Sequence, residues 1–304
     1  MKLDQEFNSI IDLVNTFPDQ QSCIDYLEKV RWPEEVISPF DASSKVYKCK
    51  GNKYRCKNTN KYFNVKTGTM FDNTKLPLQK WFLAIWLITS HKKGISSLQL
   101  GRDINITQKS AWFMLQRIRA CFGIEDEMLE DEVEMDEAFI GGKNKNRHEH
   151  KKVKNAQGRS LKDKTPVVGM VQREGKLKAF KTENTKKKTL TEQAVNNIKK
   201  DSIIYTDEWK GYNGLKKVYD HSTIKHKKKE YVRGRVHTNT IEGFWSLLKR
   251  GIDGIYHSVS TKHLQKYVDE FVFRYNSRRH SEYERFNMFF WNLENRLTYN
   301  ELIK

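Results

Sequence analysis

Cysteine is scarce in this chain of 304 residues: the four present, Cys23, Cys49, Cys56 and Cys121, are too few and too scattered for the disulfide framework of a small secreted scaffold. Reduced thiols in a cytosol are the expectation. Long apolar runs are missing too. The longest, Trp81 to Ile88, falls far short of the roughly 20 residues a membrane-spanning helix needs. The opening MKLDQEFNSI carries no charged-then-apolar leader pattern, so a soluble, intracellular protein without membrane association is expected. No internal repeat is visible, and with 37% hydrophobic and 12% aromatic residues the chain is not of disordered composition. Acid is the other deficit. With 38 Asp and Glu against 56 Lys and Arg, the net charge is +18, the signature of a protein that meets an anion. Charge alone does not choose among nucleic acid, phospholipid and acidic protein.

The length allows two or three small domains. Residues 4–30 place Phe7, Ile10, Ile11 and Val14, then Cys23, Ile24, Leu27 and Val30, at helical spacing around Pro18, which predicts two short helices over 1–31. From Trp32 to Val65 short aromatic and β-branched runs alternate with Gly, Asn and Ser, the texture of a small β module spanning 32–73. Pro77 then opens a helix that is apolar on every side between Trp81 and Ile88 and is therefore expected to be buried.

Two more helical patterns follow within 74–124. In the second, Ala111, Met114, Leu115, Ile118 and Phe122 form one stripe, which leaves Gln108, Lys109, Gln116, Arg117 and Arg119 off it, and Thr107 is suited to the N-cap. Two readings fit. One is a helix-turn-helix whose second helix enters a major groove through Gln108, Lys109, Arg117 and Arg119; the other is a three-helix packing unit with a solvated basic face.

Between Glu125 and Glu137 nine of thirteen residues are acidic, a reversal of sign that marks a domain boundary. Val133 to Ile140 reads as a strand with Asp136 inside it. From Lys143 to Lys164 nine residues are Lys or Arg, a basic loop expected to order on an anion, and a second basic stretch runs from Lys225 to Arg235. PVVGMVQ (166–172), KLKAFKT (176–182) and SIIYTD (202–207) read as strands, with a helix over 185–200. Strand, strand, strand, helix, strand is the order of a mixed α/β domain, placed at 130–290, with a largely helical remainder.

Enzymes that cut or transfer phosphodiesters commonly hold two divalent cations between carboxylates, and hard cations take oxygen ligands. Asp136 in a strand, Asp207 at the end of a strand and Glu242 at the start of a helix are acids of that kind. Each also has a plain structural reading. Asp207 suits a cap for the WKGYNGL segment, and Glu242 suits the first turn of a helix.

These segments, taken together, resemble the DDE transposases of bacterial insertion sequences, specifically the ISXO-like family. The carrying residues are TGTMF with PLQKWFLAIWLITSHKKGISSLQLGRDINITQKSAWFMLQRIR, then EMDEAFIGGKNKNRH, IIYTDEWKGYNGL, and VHTNTIEGFWSLLKRGIDGIYHSVSTKHLQKYVDEFVFRYNSR, which occur in the family's order over most of 32–280. The resemblance implies a zinc-ribbon N-terminus, a helix-turn-helix and a ribonuclease-H-like catalytic domain. It further implies Asp136, Asp207 and Glu242 as the catalytic, metal-binding triad for two Mg²⁺ or Mn²⁺ ions, with Asn239 as the alternative third ligand. Lys249, seven residues after Glu242 and two helical turns along, and the adjacent Arg250 match the basic DNA-contacting position. The implied activity is metal-dependent cleavage at transposon inverted repeats and transfer of the freed 3′ hydroxyl into target DNA. The implied working form is a homodimer or larger assembly on double-stranded DNA in a bacterial, nucleoid-associated setting.

One part of the family pattern is broken. A zinc ribbon needs four Cys or His ligands, whereas the ligand positions here read Ser38-Pro39-Phe40-Asp41 and Cys56-Lys57-Asn58-Thr59. No structural zinc is expected, and Val46, Tyr47, Tyr54, Tyr62, Phe63 and Val65 are the expected core of that module. The broken ribbon leaves a second reading open, a catalytically inactive or repurposed DNA-binding derivative. A third is a ribonuclease-H-type nuclease that cuts without strand transfer.

Overall fold

The computed structural model describes residues 6–123, 126–142, 148–154, 160–224 and 236–304. Residues 143–147 and 155–159 of the basic loop 143–164, and the whole 225–235 stretch, lie outside the described residues. In chain order the elements are α1 (Ile10–Thr16), α2 (Gln20–Arg31), β1 (Val46–Cys49), β2 (Lys53–Cys56), β3 (Tyr62–Phe63), α3 (Leu78–Ser90), α4 (Ser97–Asp103) and α5 (Gln108–Arg119). There follow β4 (Glu132–Ile140), β5 (Thr165–Gln172), β6 (Leu177–Lys181), α6 (Lys187–Asn197), β7 (Ile203–Thr206), β8 (Asp220–Thr223), α7 (Asn239–Gly251), α8 (Leu264–Asn276), α9 (Glu282–Phe289) and α10 (Tyr299–Ile303). No helix among the described residues is long and apolar enough to cross a membrane.

The chain divides into two compact units, one of residues 1–123 with 279–304 and the other of residues 124–278. The α/β part was expected to run to residue 290, but α9 and α10 belong to the first unit. The cause is aromatic packing. Phe286 of α9 lies with its ring centroid 5.2 Å from Phe7, 5.7 Å from Phe82 and 6.2 Å from Tyr26, and Phe290 lies 5.3 Å from Phe82. Such pairs add to the area they bury, and the α9 segment offers its rings on the face that meets α3.

Within this unit β1, β2 and β3 form an antiparallel sheet. Its core differs from expectation. Tyr54, Phe63 and Val65 are buried and Trp32 packs on both rings, but Tyr62 is 60% exposed and Val46 and Tyr47 are only half-buried. A three-stranded sheet has a single covered face, so alternation sends Tyr62 outward when Phe63 points in. Where a ribbon would hold metal, the buried Cys56 thiol meets the hydroxyls of Ser38, Ser44 and Thr59. Burial pushes this thiol up, but those hydroxyls and the Thr59 backbone N–H outweigh it and leave the pKa at about 6. One sulfur and three hydroxyls do not match the four S or N donors of structural zinc.

Helices α4 and α5 pack together through a tight turn in which Asn105 takes φ 51° and Thr107 caps α5. The expected exposed basic face of α5 requires correction. Gln108 and Lys109 are exposed, but Gln116, Arg117 and Arg119 are buried, at 0%, 6% and 1% exposure. Arg117 donates to the Asp72 carbonyl at 2.8 Å and lies over the Trp81 and Phe113 rings. The C-terminal half of α5 is covered all round, so leaving the apolar stripe does not mean reaching solvent.

The second unit carries a five-stranded mixed sheet of order β6-β5-β4-β7-β8, antiparallel across β4, β5 and β6 and parallel across β4, β7 and β8. Alternation along β4 assigns its two faces. Val133 and Met135 join Val168, Met170, Leu190, Ala194 and Ile204 in a core under α6. Ala138 and Ile140 join Val167, Leu177, Ile241, Phe244, Trp245 and Phe271 in a core under α7 and α8. Asp136 shares the parity of the second set.

Candidate active site

Asp136 sits in the middle of β4 with Gly169 of β5 as its register partner. That glycine is required by contact: a Cβ there would come within 2.7 Å of Trp245 and 2.8 Å of Ile241, both on α7. Its absence lets α7 lie on the sheet, and the Trp245 indole donates Nε1–H to Asp136 Oδ2 at 3.0 Å. Asp207 follows directly on β7. Because β7 runs parallel to β4 with Tyr205 opposite Glu134, the two aspartates leave the sheet side by side. Asp207 Oδ1 accepts the Trp209 N–H at 2.9 Å, so the capping role read from the sequence coexists with a place in the cluster. Glu242, in the first turn of α7, accepts the Thr238 hydroxyl at 3.0 Å.

All three acids, together with Glu137, Thr238, Trp245, Ser246 and Lys249, line one open cleft of about 360 Å³. Lys249 thus stands across the same cleft as the carboxylates. Arg250 is exposed beside it and donates Nε–H to the Ser246 carbonyl at 3.0 Å. Asn239, the first residue of α7, is exposed and does not line the cleft. Gln108 and Lys109 belong to the other unit, where Gln108 Nε2 donates to Ser97 at 2.9 Å and Lys109 lies over the Tyr299 ring at 5.9 Å. Of the aromatics near these motifs, Trp245 is core at 4% exposure while Trp209 is 37% exposed.

Glu137 was missed by sequence reasoning, which counted it only as the last acid of the run from Glu125. Its carboxylate oxygen lies within 4.8 Å of those of Asp136 and Asp207, close enough together for all three to reach one metal ion, a group that does not include Glu242. Adjacent residues of a strand normally face opposite ways. Here β7 pairs with β4 only as far as Glu134, so beyond that point the β4 edge is open and both faces reach the Asp207 side. Tyr212, fully packed at 1% exposure, donates its hydroxyl to Glu137 Oε2 at 2.5 Å and holds that side chain in place.

The electrostatics follow from this crowding. Burial and then the Asp207 charge, with a smaller contribution from Glu242, push the Asp136 carboxyl up to about 6, against the backbone and Trp245 hydrogen bonds that pull it down. Burial and the Glu137 charge likewise raise the Tyr212 hydroxyl well above its ordinary value. An all-oxygen donor set with surplus negative charge suits a hard divalent cation rather than zinc, and a cation of that kind would relieve the repulsion.

Comparison with known proteins agrees with this geometry. Residues 128–276, which hold the entire cleft, match the ISXO2-like transposase domain. A protein of Halobacterium salinarum described as an uncharacterized protein in transposable element ISH50 is 26% identical over 274 residues, covering 86% of this chain and 92% of the relative. The Mos1 transposase chain of a pre-cleavage transpososome aligns over 95% of this chain and 97% of its own at 11% identity and a TM-score of 0.25, a likeness too slight to support a statement about this protein. Through residues 128–276, the chain is thus similar to the ISXO2-like transposases of insertion sequences.

Proposed function

We propose that the protein is an insertion-sequence transposase that cleaves DNA at the ends of its element and transfers the freed strand into target DNA, with Asp136, Asp207 and Glu242 as its DDE triad. The observation that carries this reading is the convergence of three acids from β4, the end of β7 and the start of α7 on one cleft that also holds Lys249. The strand order of the second unit supports a ribonuclease-H-like fold, with three antiparallel strands followed by two parallel ones. The α4 and α5 pair supports a helix-turn-helix, whose groove-facing residues would be Gln108 and Lys109 at the exposed start of α5.

Asp136, Asp207 and Glu242, with Glu137 beside them, would hold two Mg²⁺ or Mn²⁺ ions. When bound, such ions supply an activated water and a stabilised leaving oxygen for in-line displacement. The chain's own groups do the rest. Trp245 fixes the Asp136 carboxylate, Thr238 orients that of Glu242, and Tyr212 restrains Glu137. Lys249 faces the cleft with a mobile positive charge suited to a phosphate next to the scissile bond. Action on two inverted repeats implies a homodimer or larger assembly on double-stranded DNA, in the nucleoid-associated setting expected from the sequence.

The second reading, a DNA-binding protein that no longer cuts, is favoured by the hydroxyl-lined Cys56 site, where the ribbon's donor set has been lost. Cleavage of a duplex bearing the flanking inverted repeat decides between them. Nicking by wild type with Mg²⁺ or Mn²⁺ that is abolished in Asp136→Ala, Asp207→Ala and Glu242→Ala, with DNA binding retained, supports the transposase; binding without cutting supports the other. Cleavage surviving only in Glu242→Ala would move the third ligand to Asn239.

A further inference from the structure

Helix α7 carries Glu242 and Lys249, yet it lacks a cap of its own. Its N-cap residue, Thr238, makes no side-chain capping bond; its hydroxyl is given instead to Glu242. The first-turn N–H groups of a helix still require acceptors. They find one in Glu134, two residues before Asp136 on β4 and 0% exposed. Glu134 Oε2 accepts the backbone N–H of Thr240 at 2.9 Å and of Ile241 at 3.1 Å, and Oε1 accepts the Thr240 hydroxyl at 2.9 Å.

The charge of this buried carboxylate is matched locally. Arg173 Nε donates to Glu134 Oε1 at 3.2 Å, its Nη1 to Glu132 Oε2 at 3.1 Å and its Nη2 to the His237 carbonyl at 3.3 Å, while the guanidinium lies 4.3 Å over the Tyr205 ring. His237 Nδ1 stands 3.1 Å from Glu134 Oε1. One carboxylate and one guanidinium thus join β4, β7 and the entry to α7, the three elements from which the cleft's acids project.

We infer that Glu134, held by Arg173, is a positioning residue: it caps α7 from the strand that bears Asp136 and so sets the placement of Glu242 against Asp136 and Asp207. This rests on the proposed function for its consequence and on the hydrogen bonds alone for its mechanism. The local cap is released to orient Glu242 because a remote one has taken over the helix terminus. The shape of glutamine matches that of glutamate, but its single acceptor oxygen cannot serve both sets of donors, and its NH₂ would face N–H groups.

The test uses the full chain as wild type, Glu134→Gln, Glu242→Ala and the double variant. Hydrogen exchange at the Thr240 and Ile241 amides is expected to quicken at least about tenfold in Glu134→Gln, with exchange in α8 unchanged. Mn²⁺ affinity, read by calorimetry without DNA, is expected to fall about 10- to 100-fold, the usual range for losing a group that orients a ligand. In the Glu242→Ala background the same substitution is expected to cost little more, because its effect runs through Glu242. Unchanged exchange at the two amides overturns the clamp. An equal affinity loss in both backgrounds, or lowered melting temperature with unchanged affinity, overturns the positioning role and leaves a merely structural one. Absence of Mn²⁺ binding by wild type would instead count against the metal reading of the cleft, and the exchange rates would then decide the clamp alone.

Discussion

Gly169→Ala adds one methyl group to the second unit, and the expected outcome is large. The new Cβ would lie 2.7 Å from Trp245 Cζ2 and 2.8 Å from both Trp245 Cη2 and Ile241 Cδ1. None of these is the free end of a flexible chain, since Trp245 and Ile241 are 4% and 0% exposed in a packed core. Relief therefore requires α7 to move off the sheet by most of an ångström, and overpacking of this kind costs about 1 to 3 kcal/mol. For a unit of this size that is roughly 3 to 10 °C in melting temperature. The same movement draws the Trp245 indole from Asp136 and shifts Glu242 along with its helix, so cleavage should fall further than stability does. A thermal melt followed by inverted-repeat nicking well below the lowered melting temperature separates the two effects. A melting temperature within about 1 °C of wild type would show that the close approach is not tight; lowered stability with full cleavage would show that the seating of α7 does not govern the chemistry.

Asp136→Asn removes one of the crowded charges, so in metal-free buffer it is expected to match or exceed wild type in melting temperature while losing cleavage. Saturating Mg²⁺ should then raise the wild-type melting temperature, by about 2.7 kcal/mol of stabilisation at a hundredfold excess over Kd, and leave the variant unmoved. Asp269, on α8, has its carboxyl pushed by burial from 3.8 up to about 7 despite a hydrogen bond from Gln265. The folded state therefore holds a proton that the unfolded chain has released, and stability falls as pH rises from about 4 to about 7. Asp269→Asn should equal wild type near pH 4 in thermal melts and exceed it at pH 8, by roughly 2 kcal/mol after allowing for partial exposure; a pH-independent difference would refute this. Arg117→Ala should lower the melting temperature through loss of its buried contacts, about 2 to 4 kcal/mol. Lys109→Ala, exposed, should instead reduce the salt dependence of DNA binding by about one unit of slope. The opposite pattern would restore Arg117 to the surface.

Much of the second unit was legible because β4, β5 and β6 are long enough to read as strands and the acids stand inside a strand, at a strand end and at a helix start. The four family segments then tied those acids together. What was not legible depended on where elements stop. Glu137 reaches the cleft only because β7 ends its pairing at Glu134, and no pattern within EMDEAFI announces the length of another strand. Glu134 reads as one more acid in an acidic run, since the helix amides it caps lie more than a hundred residues further along. Arg117 and Arg119 were misplaced because periodicity finds the face a helix must bury, but says nothing of further segments, such as that around Asp72, that bury the opposite face as well.

The first unit is assembled from both ends of the chain, residues 1–123 and 279–304. Its order of birth follows. Phe7, Phe17, Tyr26 and Phe82 leave the ribosome long before Phe286 and Phe290, the rings that complete their cluster. At about 5 to 20 residues per second, the interval is on the order of 10 to 40 seconds. During that time the nascent N-terminal segment presents an aromatic surface to whatever is nearby, while the second unit, contiguous in sequence, has all its residues in hand and is free to fold. A chain truncated before α9 would keep its acidic cleft and lose the lid of its other hydrophobic core.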